Sequence, residues 1–397
     1  MKQPQLNFAL FMHPQHAYDR MLVSGVADFA RAHAECHFRL LAPSILSVSS
    51  STEKYDGIIC RVLDKDIVRK ASRFGTPVID TLHSRSDTGF SVVASDNVLI
   101  GRLAAEHFLE HRFANFAFVG YKGVPYSERR RDGFVSRLAE AGFKPRIYET
   151  DASRWPSTKT IKLPGFYEIN TRDAGGLKRM LDKLPRPAAV FCCHDPRAVS
   201  VLDICNRQSV RVPEDIAILG VDNDFIYSAF SHPRLSSIDP AAEQIGFRAA
   251  QELLELAETP ASRRHPRTIL IPPKEIVVRE STEIYPTDPP WLSDALVYIR
   301  RNAMRGISAC NVFENLGLSH TLVQKTFREK LGSSVQKEIV AVRMDEAKRL
   351  LKETSQPISE IAAACGFASL RYFSQAFSTL CGVSPSDWRI ARKSTLA

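Results

Sequence analysis

Strand-type and helix-type segments alternate along the chain up to a proline-rich stretch, EIYPTDPPW at 283–291, and past it the strand signals stop. That discontinuity calls for two different kinds of domain. Before it, seven short apolar runs read as buried strands: LNFALFM (6–12), DGIIC (56–60), TPVID (76–80), SVVASD (91–96), FAFVG (116–120), AAVFCC (188–193) and IAILGVD (216–222). Between them, segments such as 19–32, 97–111, 127–141, 173–184 and 196–208 carry apolar residues at helical spacing. Such alternation implies parallel sheets covered by helices on both faces. Roughly ten units of this kind exceed what one compact sheet holds, so residues 1–283 are expected to form two α/β lobes. Pro286, Pro289 and Pro290 cannot sit inside a helix and stiffen an extended segment, so 284–290 reads as a linker. Residues 291–397 then read as all-α.

Composition narrows the function classes. The 397 residues hold 53 Lys+Arg against 44 Asp+Glu, a net charge of +9. Residues 285–397 alone carry 15 Lys+Arg against 10 Asp+Glu, so net positive charge per residue rises toward the C-terminal end and suits an acidic partner. No run reaches the ~18 consecutive apolar residues of a membrane span. The N-terminal apolar run has no small-residue cleavage site behind it, so a cytoplasmic protein without a membrane partner is expected. Cys36, Cys60, Cys192, Cys193, Cys205, Cys310, Cys365 and Cys381 form no C-x-x-C pair and read as buried free thiols, with no metal site. A glycine-rich phosphate cradle and a G-x-S-x-G elbow are both missing, so neither an enzyme nor a bound cofactor is expected.

The helical segment contains a weak internal repeat, at 307–332 and again at 358–382. Each copy reads as helix, glycine-containing turn, helix, with Gly317 or Gly366 in the turn and Ser319 or Ser369 capping the second helix. In the first copy Leu322, Val323 and Phe327 are expected to point inward, leaving Thr321, Gln324, Lys325 and Arg328 on one face. In the second, Phe373, Ala376, Phe377 and Leu380 form the apolar stripe, opposite Arg371, Ser374, Gln375 and Ser378. Amide, guanidinium and hydroxyl groups on an exposed helix suit the base edges and phosphates of a DNA major groove. A long amphipathic helix over 334–354 separates the copies and is suited to setting the two second helices about one DNA turn, ~34 Å, apart.

Residues 291–392 resemble the AraC/XylS DNA-binding domain. The match rests on the GLS turn (317–319), "RMDEAKRLL" (343–351), the pattern from Ile358 to Phe377 with its IA, GF and YF pairs, and the closing GVSP-x-x-WR of 382–389. The first 280 residues resemble the LacI/GalR and periplasmic sugar-binding type of effector domain, through "YDGII" (55–59), "VVASDN" (92–97), "RRRDGF" (129–134), "VFCCHD" (190–195) and "VPEDIAILGVDN" (212–223). The expected fold is therefore a two-lobed periplasmic-binding-protein-like effector domain followed by an all-α domain with two helix-turn-helix units. Its implied function is sugar-responsive transcription regulation, most simply activation by a pentose such as xylose. The implied partners are a double-stranded DNA operator, a small sugar, a second copy in a homodimer, and RNA polymerase if the protein activates. A carbohydrate-processing enzyme or a transport-type sugar receptor is the competing class.

Ligands of open parallel sheets bind beyond the C-terminal strand ends. Sugars offer hydroxyls to charged groups and an apolar ring face to aromatic rings. The candidates at such positions are His13, His16, Tyr18 and Asp19 after the first strand, then Asp96, Arg130, His194, Asp195, Asp222 and Asp239. The effector-domain resemblance places Arg130 and Asp222 at sugar-contacting positions. Asp96 and Asp195 are also placed to cap the helices that follow them, and Asp19 to cap the helix of 24–32.

Overall fold

A computed structural model describes residues 5–43, 54–62, 65–85, 87–151, 171–285 and 287–393; Pro286 lies outside the described residues. The chain divides into two compact units, Met1–Glu283 and Ile284–Ala397. The first unit begins with β1 (Leu6–Phe11), α1 (Ala17–Ala32), β2 (Cys36–Leu41), β3 (Gly57–Cys60), α2 (Lys65–Ser72), β4 (Val78–Asp80), β5 (Ser91–Ser95) and α3 (Asn97–Glu110). It continues with β6 (Phe116–Lys122), α4 (Pro125–Glu140), β7 (Arg146–Asp151), α5 (Thr171–Asp182), β8 (Ala188–Cys192), α6 (Asp195–Arg207), β9 (Ile216–Val221), α7 (Phe225–Phe230) and β10 (Ser236–Asp239). It closes with α8 (Ala242–Glu258), β11 (Thr268–Ile271) and β12 (Glu275–Val277).

These strands form two six-stranded sheets, ordered β11-β5-β4-β3-β1-β2 and β12-β10-β9-β8-β6-β7. Every pairing is parallel except β12 on β10. Each sheet is the base of one lobe, with its own core. Phe8, Leu10, Ile59, Ile79 and Val93 pack under α1 and α8 in the first, and Val119, Val190, Ile218, Val201 and Leu202 pack together in the second. The chain passes between the sheets after β5, after β10 and after β11. At the second passage Ala241 adopts φ +60°, a conformation a non-glycine residue holds only when its surroundings impose it. The Asp239 carboxylate imposes it by accepting the Ala241 backbone N–H at 2.9 Å.

The helix pairs α1/α8 and α3/α4 cross at glycines. A Cβ on Gly246 would lie 2.0 Å from the Leu22 carbonyl oxygen, and one on Gly101 would lie 2.0 Å from that of Arg130. Backbones at that separation leave no room for a side chain, so glycine here is a packing requirement. The α3/α4 pair matters most for the cleft, since α4 carries Arg130 and α3 begins at Asn97.

In the second unit α9 (Pro290–Asn302), α10 (Ala309–Leu316), α11 (His320–Leu331), α12 (Val335–Glu353), α13 (Ile358–Ala364), α14 (Leu370–Cys381) and α15 (Pro385–Lys393) form two small cores joined along α12. Gly317 and Gly366 end α10 and follow α13 in the left-handed conformation, at φ +63° and +72°. Ser319 and Ser369 accept the N–H groups of Leu322 and Tyr372 and cap the helices after them. Arg343 of α12 is buried. Its Nε donates to Ala303 O at 2.9 Å and its Nη2 to Ile307 O at 2.8 Å, while the guanidinium lies 5.6 Å from the Phe367 ring centre. One side chain thus ties the first helix-turn-helix to the second. Tyr285, inside the stretch read as a linker, is buried in the first of these cores, and its backbone N–H donates to Ser293. Cys310 and Cys381 correct the reading of uniformly buried thiols: Cys310 is exposed, because the inward positions of the short α10 belong to Val312 and Phe313, and Cys381 is half-buried at the end of α14.

Gly101→Ala or Gly246→Ala forces a backbone shift of the kind that costs about 1–3 kcal/mol. Either change is expected to lower the melting temperature by several degrees, followed by circular dichroism. Gly142→Ala is the control: a Cβ there would meet nothing within 4 Å, so the change brings only the strain of a left-handed φ of +83° and no clash.

Candidate ligand cleft and nucleic-acid interface

All the strand ends that matter face one cavity of about 210 Å³ between the lobes. From the first lobe come His16 and Tyr18 after β1, Arg61 after β3, Thr81 after β4 and Asn97 after β5. The second lobe contributes Tyr126 and Arg130 on α4, His194 after β8, and Asp222 and Asp224 after β9.

Two arginines set its electrostatics. Arg61 reaches Asp19 at 2.8 Å, and its guanidinium lies 5.4 Å from the Tyr18 ring centre. Arg130 donates from Nε to Asn97 Oδ1 at 2.9 Å and from Nη1 to the Cys193 carbonyl; its Nη2 lies 3.9 Å from Asp222 Oδ1. At that distance the two atoms are beyond hydrogen-bond length, so each keeps a hydrogen-bonding site for a ligand group beside the pair. Asp222 itself has φ +109°, a strained value of the sort that collects at binding sites. Burial pushes its carboxyl up to about 6, against the pull of Arg130 and Arg61. Burial likewise drives His16 down to about 4 and His194 to about 3, so both imidazoles are neutral near pH 7. Tyr18 is raised to about 12, again by burial, and its hydroxyl donates to Thr81 O at 3.2 Å.

On α11, Val323 and Phe327 are fully buried, while Thr321, Lys325 and Arg328 are exposed and Gln324 is half-buried. On α14, Phe373 and Phe377 are buried, Arg371 and Gln375 are exposed, and Ser374 is half-buried. All seven expected reading residues therefore lie outside the core. Two apolar assignments need correction. Leu322 is 44% exposed because it sits about 100° round the helix from Val323. Leu380 is 58% exposed, in the last turn of α14.

Residues 105–282 match the periplasmic binding protein-like domain, and residues 313–391 match a helix-turn-helix domain. The chain is 27% identical over 395 residues to the xylose operon regulatory protein of Escherichia coli strain K12, covering 96% of each. It is 26% identical over 403 residues to the protein of the same name from Haemophilus influenzae, covering 98% of this chain and all of that one. Among solved structures, that of the xylose-binding transcription activator XylR matches with a TM-score of 0.60 and 25% identity, over 98% of this chain and 99% of the other. This chain is a helix-turn-helix transcription regulator with a periplasmic-binding-protein-like effector domain. These relatives are regulators rather than enzymes.

Of the expected ligand residues, the regulator brings Tyr18, Arg130, His194 and Asp222 to the cavity, along with His16. The others do not line it, each for a local reason. Asp19 is fully buried, accepting the His13 N–H at 2.9 Å and holding Arg61. His13 is half-buried beside the His16 ring. Asp96 caps α3 by accepting the Leu99 N–H at 2.9 Å. Asp195 lies in the first turn of α6, where it accepts from Ser237 Oγ at 2.6 Å and from the Asp224 N–H at 2.8 Å. Asp239 is occupied with the Ala241 turn. Sequence reasoning missed Arg61, Asn97, Tyr126 and Asp224. Arg61 directly follows the DGIIC strand, so strand-end position alone marks it.

Arg371→Ala and Gln375→Ala are each expected to cost about 1–3 kcal/mol on a preferred DNA site and to relax base choice there. Fluorescence anisotropy on specific and random duplexes separates reading from gripping. Equal losses on both duplexes mean that α14 does not read bases.

Proposed function

We propose that the regulator is a sugar-gated, sequence-specific transcription activator. It takes a pentose of the xylose type in the cleft and double-stranded operator DNA through α11 and α14. The observation that carries the ligand half is the Asp222–Arg130 pair, 3.9 Å apart in a small cavity that also holds Tyr18 and Tyr126. A volume of about 210 Å³ lies below the ~300–1,000 Å³ of drug-sized sites, which favours a monosaccharide. Pentose hydroxyls donate to the carboxylate and accept from the guanidinium, with charge assistance in both directions, while tyrosine rings suit the C–H faces. The names of the two bacterial relatives and of the solved activator favour xylose and activation.

In this reading Tyr18, Arg130, His194 and Asp222 touch the sugar, and Asp19 positions Arg61. Thr321, Gln324, Lys325 and Arg328 serve the first recognition helix, and Arg371, Ser374 and Gln375 the second. The regulator works in the cytoplasm as a homodimer, and RNA polymerase is its partner at the promoter. Residues 1–283 form the effector domain, and 284–397 the DNA-binding domain.

Calorimetry with D-xylose, L-arabinose, D-ribose and D-glucose, followed by operator binding with and without the tightest ligand, tests the proposal. Asp222→Ala removes an ionic acceptor, a loss of about 2–3 kcal/mol or roughly 30- to 150-fold in sugar affinity. Ligand-free DNA affinity should be unchanged, while the sugar-induced change disappears. Unaltered sugar affinity in this variant removes Asp222 from the site.

The raised Asp222 carboxyl adds a pH signature. Hydroxyl donors bind the ionised form, so binding favours the species present above pH about 6 and releases protons near that value. Affinity should be flat above it and fall by up to about tenfold per pH unit below it. His16 and His194 contribute nothing to this slope, since burial keeps both neutral there. Asp222→Asn should abolish the slope; a slope that survives belongs to another group.

A further inference from the structure

Among the described residues, two side-chain nitrogens that line the cleft are buried without a hydrogen-bond partner, Arg61 Nε and His194 Nε2; the arginine is already held by Asp19, whereas the imidazole meets no charge partner. His194 stands between β8 and α6 as the N-cap of α6, and its Nδ1 accepts the Arg197 backbone N–H at 3.1 Å. The same N–H also reaches the His194 carbonyl at 3.1 Å, and the tautomer that lets Nδ1 share in accepting it carries the ring proton on Nε2. The surroundings keep the ring neutral and fix its place. It is 5% exposed, lies edge-on to Tyr121 at 5.4 Å between ring centres, and has the guanidinium groups of Arg130 and Arg197 nearby. His194 lines the cavity, and its Nε2 has no hydrogen-bond partner among the described residues. Folded proteins seldom leave a buried donor unpaired, and the exceptions concentrate where a ligand or ordered water completes the bond.

We propose that the Nε2–H of His194 is a specificity determinant, a donor of fixed position that admits effectors presenting an acceptor oxygen at that point and rejects those lacking it. The inference rests on the sugar reading above and deepens it. A hydroxyl, carbonyl or carboxylate oxygen satisfies the donor. A methylene leaves it buried and unpaired, and an ammonium sets donor against donor. A site built around a polar partner rejects the analogue without that partner far more strongly than an apolar pocket rejects a missing methyl group.

The test is calorimetry on the full-length protein with D-xylose and its 2-, 3- and 4-deoxy analogues, in wild type and His194→Asn. Asparagine keeps a capping acceptor for α6 but is too short to place a donor where Nε2 lies. The wild type should bind one analogue at least about tenfold more weakly than xylose through the lost acceptor. His194→Asn should bind xylose and that analogue alike, while the penalties at the other two positions stay. The same penalties in both proteins overturn the inference and leave the sugar reading standing. No binding of any sugar by the wild type overturns both. Should His194→Asn not fold, long-range proton–nitrogen spectra of histidine-labelled wild type decide. The Nε2–H tautomer should persist from about pH 5 to 8, and its signal should move when xylose is added. An Nδ1–H tautomer, a titrating signal or one indifferent to xylose overturns the inference.

Discussion

A parallel strand cannot be followed directly by its neighbour; the chain must cross back over the sheet, usually along a helix, before the next strand begins. The strands before β12 all enter their sheets under that rule, so within each lobe they end toward one side. The loops after β1, β3, β4 and β5 in one lobe, and after β6, β8 and β9 in the other, therefore collect at the cleft. The site is a consequence of winding direction: no loop has to be guided there separately. The helix pairs with their glycine crossings then fix how closely α4, and with it Arg130, approaches the start of α3.

A cleft that gathers charges must also keep them from neutralising one another. Arg130 is held by neutral acceptors, Asn97 Oδ1 and the Cys193 carbonyl, so its charge is positioned without being cancelled. Arg61 is treated differently: Asp19 meets it from beneath at 2.8 Å and is itself wholly buried. Removing one partner of such a pair leaves a buried charge alone, which costs more than the pair contributes. Asp222, the carboxyl left facing Arg130, is raised to about 6 because neither guanidinium compensates fully for lost solvent. Polar ligand groups can replace part of that solvent.

How much of this was legible follows from burial. The seven strands recognised from apolar runs are all interior ones with covered faces; the interior strand they leave out, β10, is buried too, but its sequence SSID has a single apolar residue and makes no apolar run. Those left unread were β2, β7, β10, β11 and β12, of which β2, β7, β11 and β12 are sheet edges. An edge such as CHFRLL, half exposed along its length, loses the continuous apolar run that marks a central strand. Site residues behaved similarly. Those directly after a recognised strand or on its helix, such as His194, Asp222 and Arg130, were accessible to sequence reasoning. Asp195 and Asp239 sit just as close to strand ends, yet their carboxylates turn to local N–H and hydroxyl groups. Position within a motif sets where a backbone goes, whereas the direction of a short acid depends on which donors the tertiary fold leaves open. Arg343 shows the same limit in the second unit: a charged residue in an amphipathic helix reads as surface, and only the assembled helices reveal the two carbonyls it serves.

The cleft already carries links between its lobes. Arg20 of α1 reaches Asp224 at 3.4 Å, and Arg129 of α4 donates to the His83 carbonyl. A ligand touching Tyr18 on one lobe and Arg130, His194 and Asp222 on the other is sensitive to their separation, since both sets are in reach only over a narrow range. Such a ligand shifts the lobes by the difference between its affinities for the two arrangements, and by no more than that. The segments joining the lobes restrict which arrangements the chain can reach, and a rigid segment restricts them most. Ala241, held at φ +60° by the Asp239 carboxylate in one of the three passages between the sheets, is a non-glycine residue in a conformation few others tolerate. A glycine there would tolerate many more backbone conformations and lessen that rigidity. The acid expected at the ligand thus holds the backbone of a passage between the sheets instead.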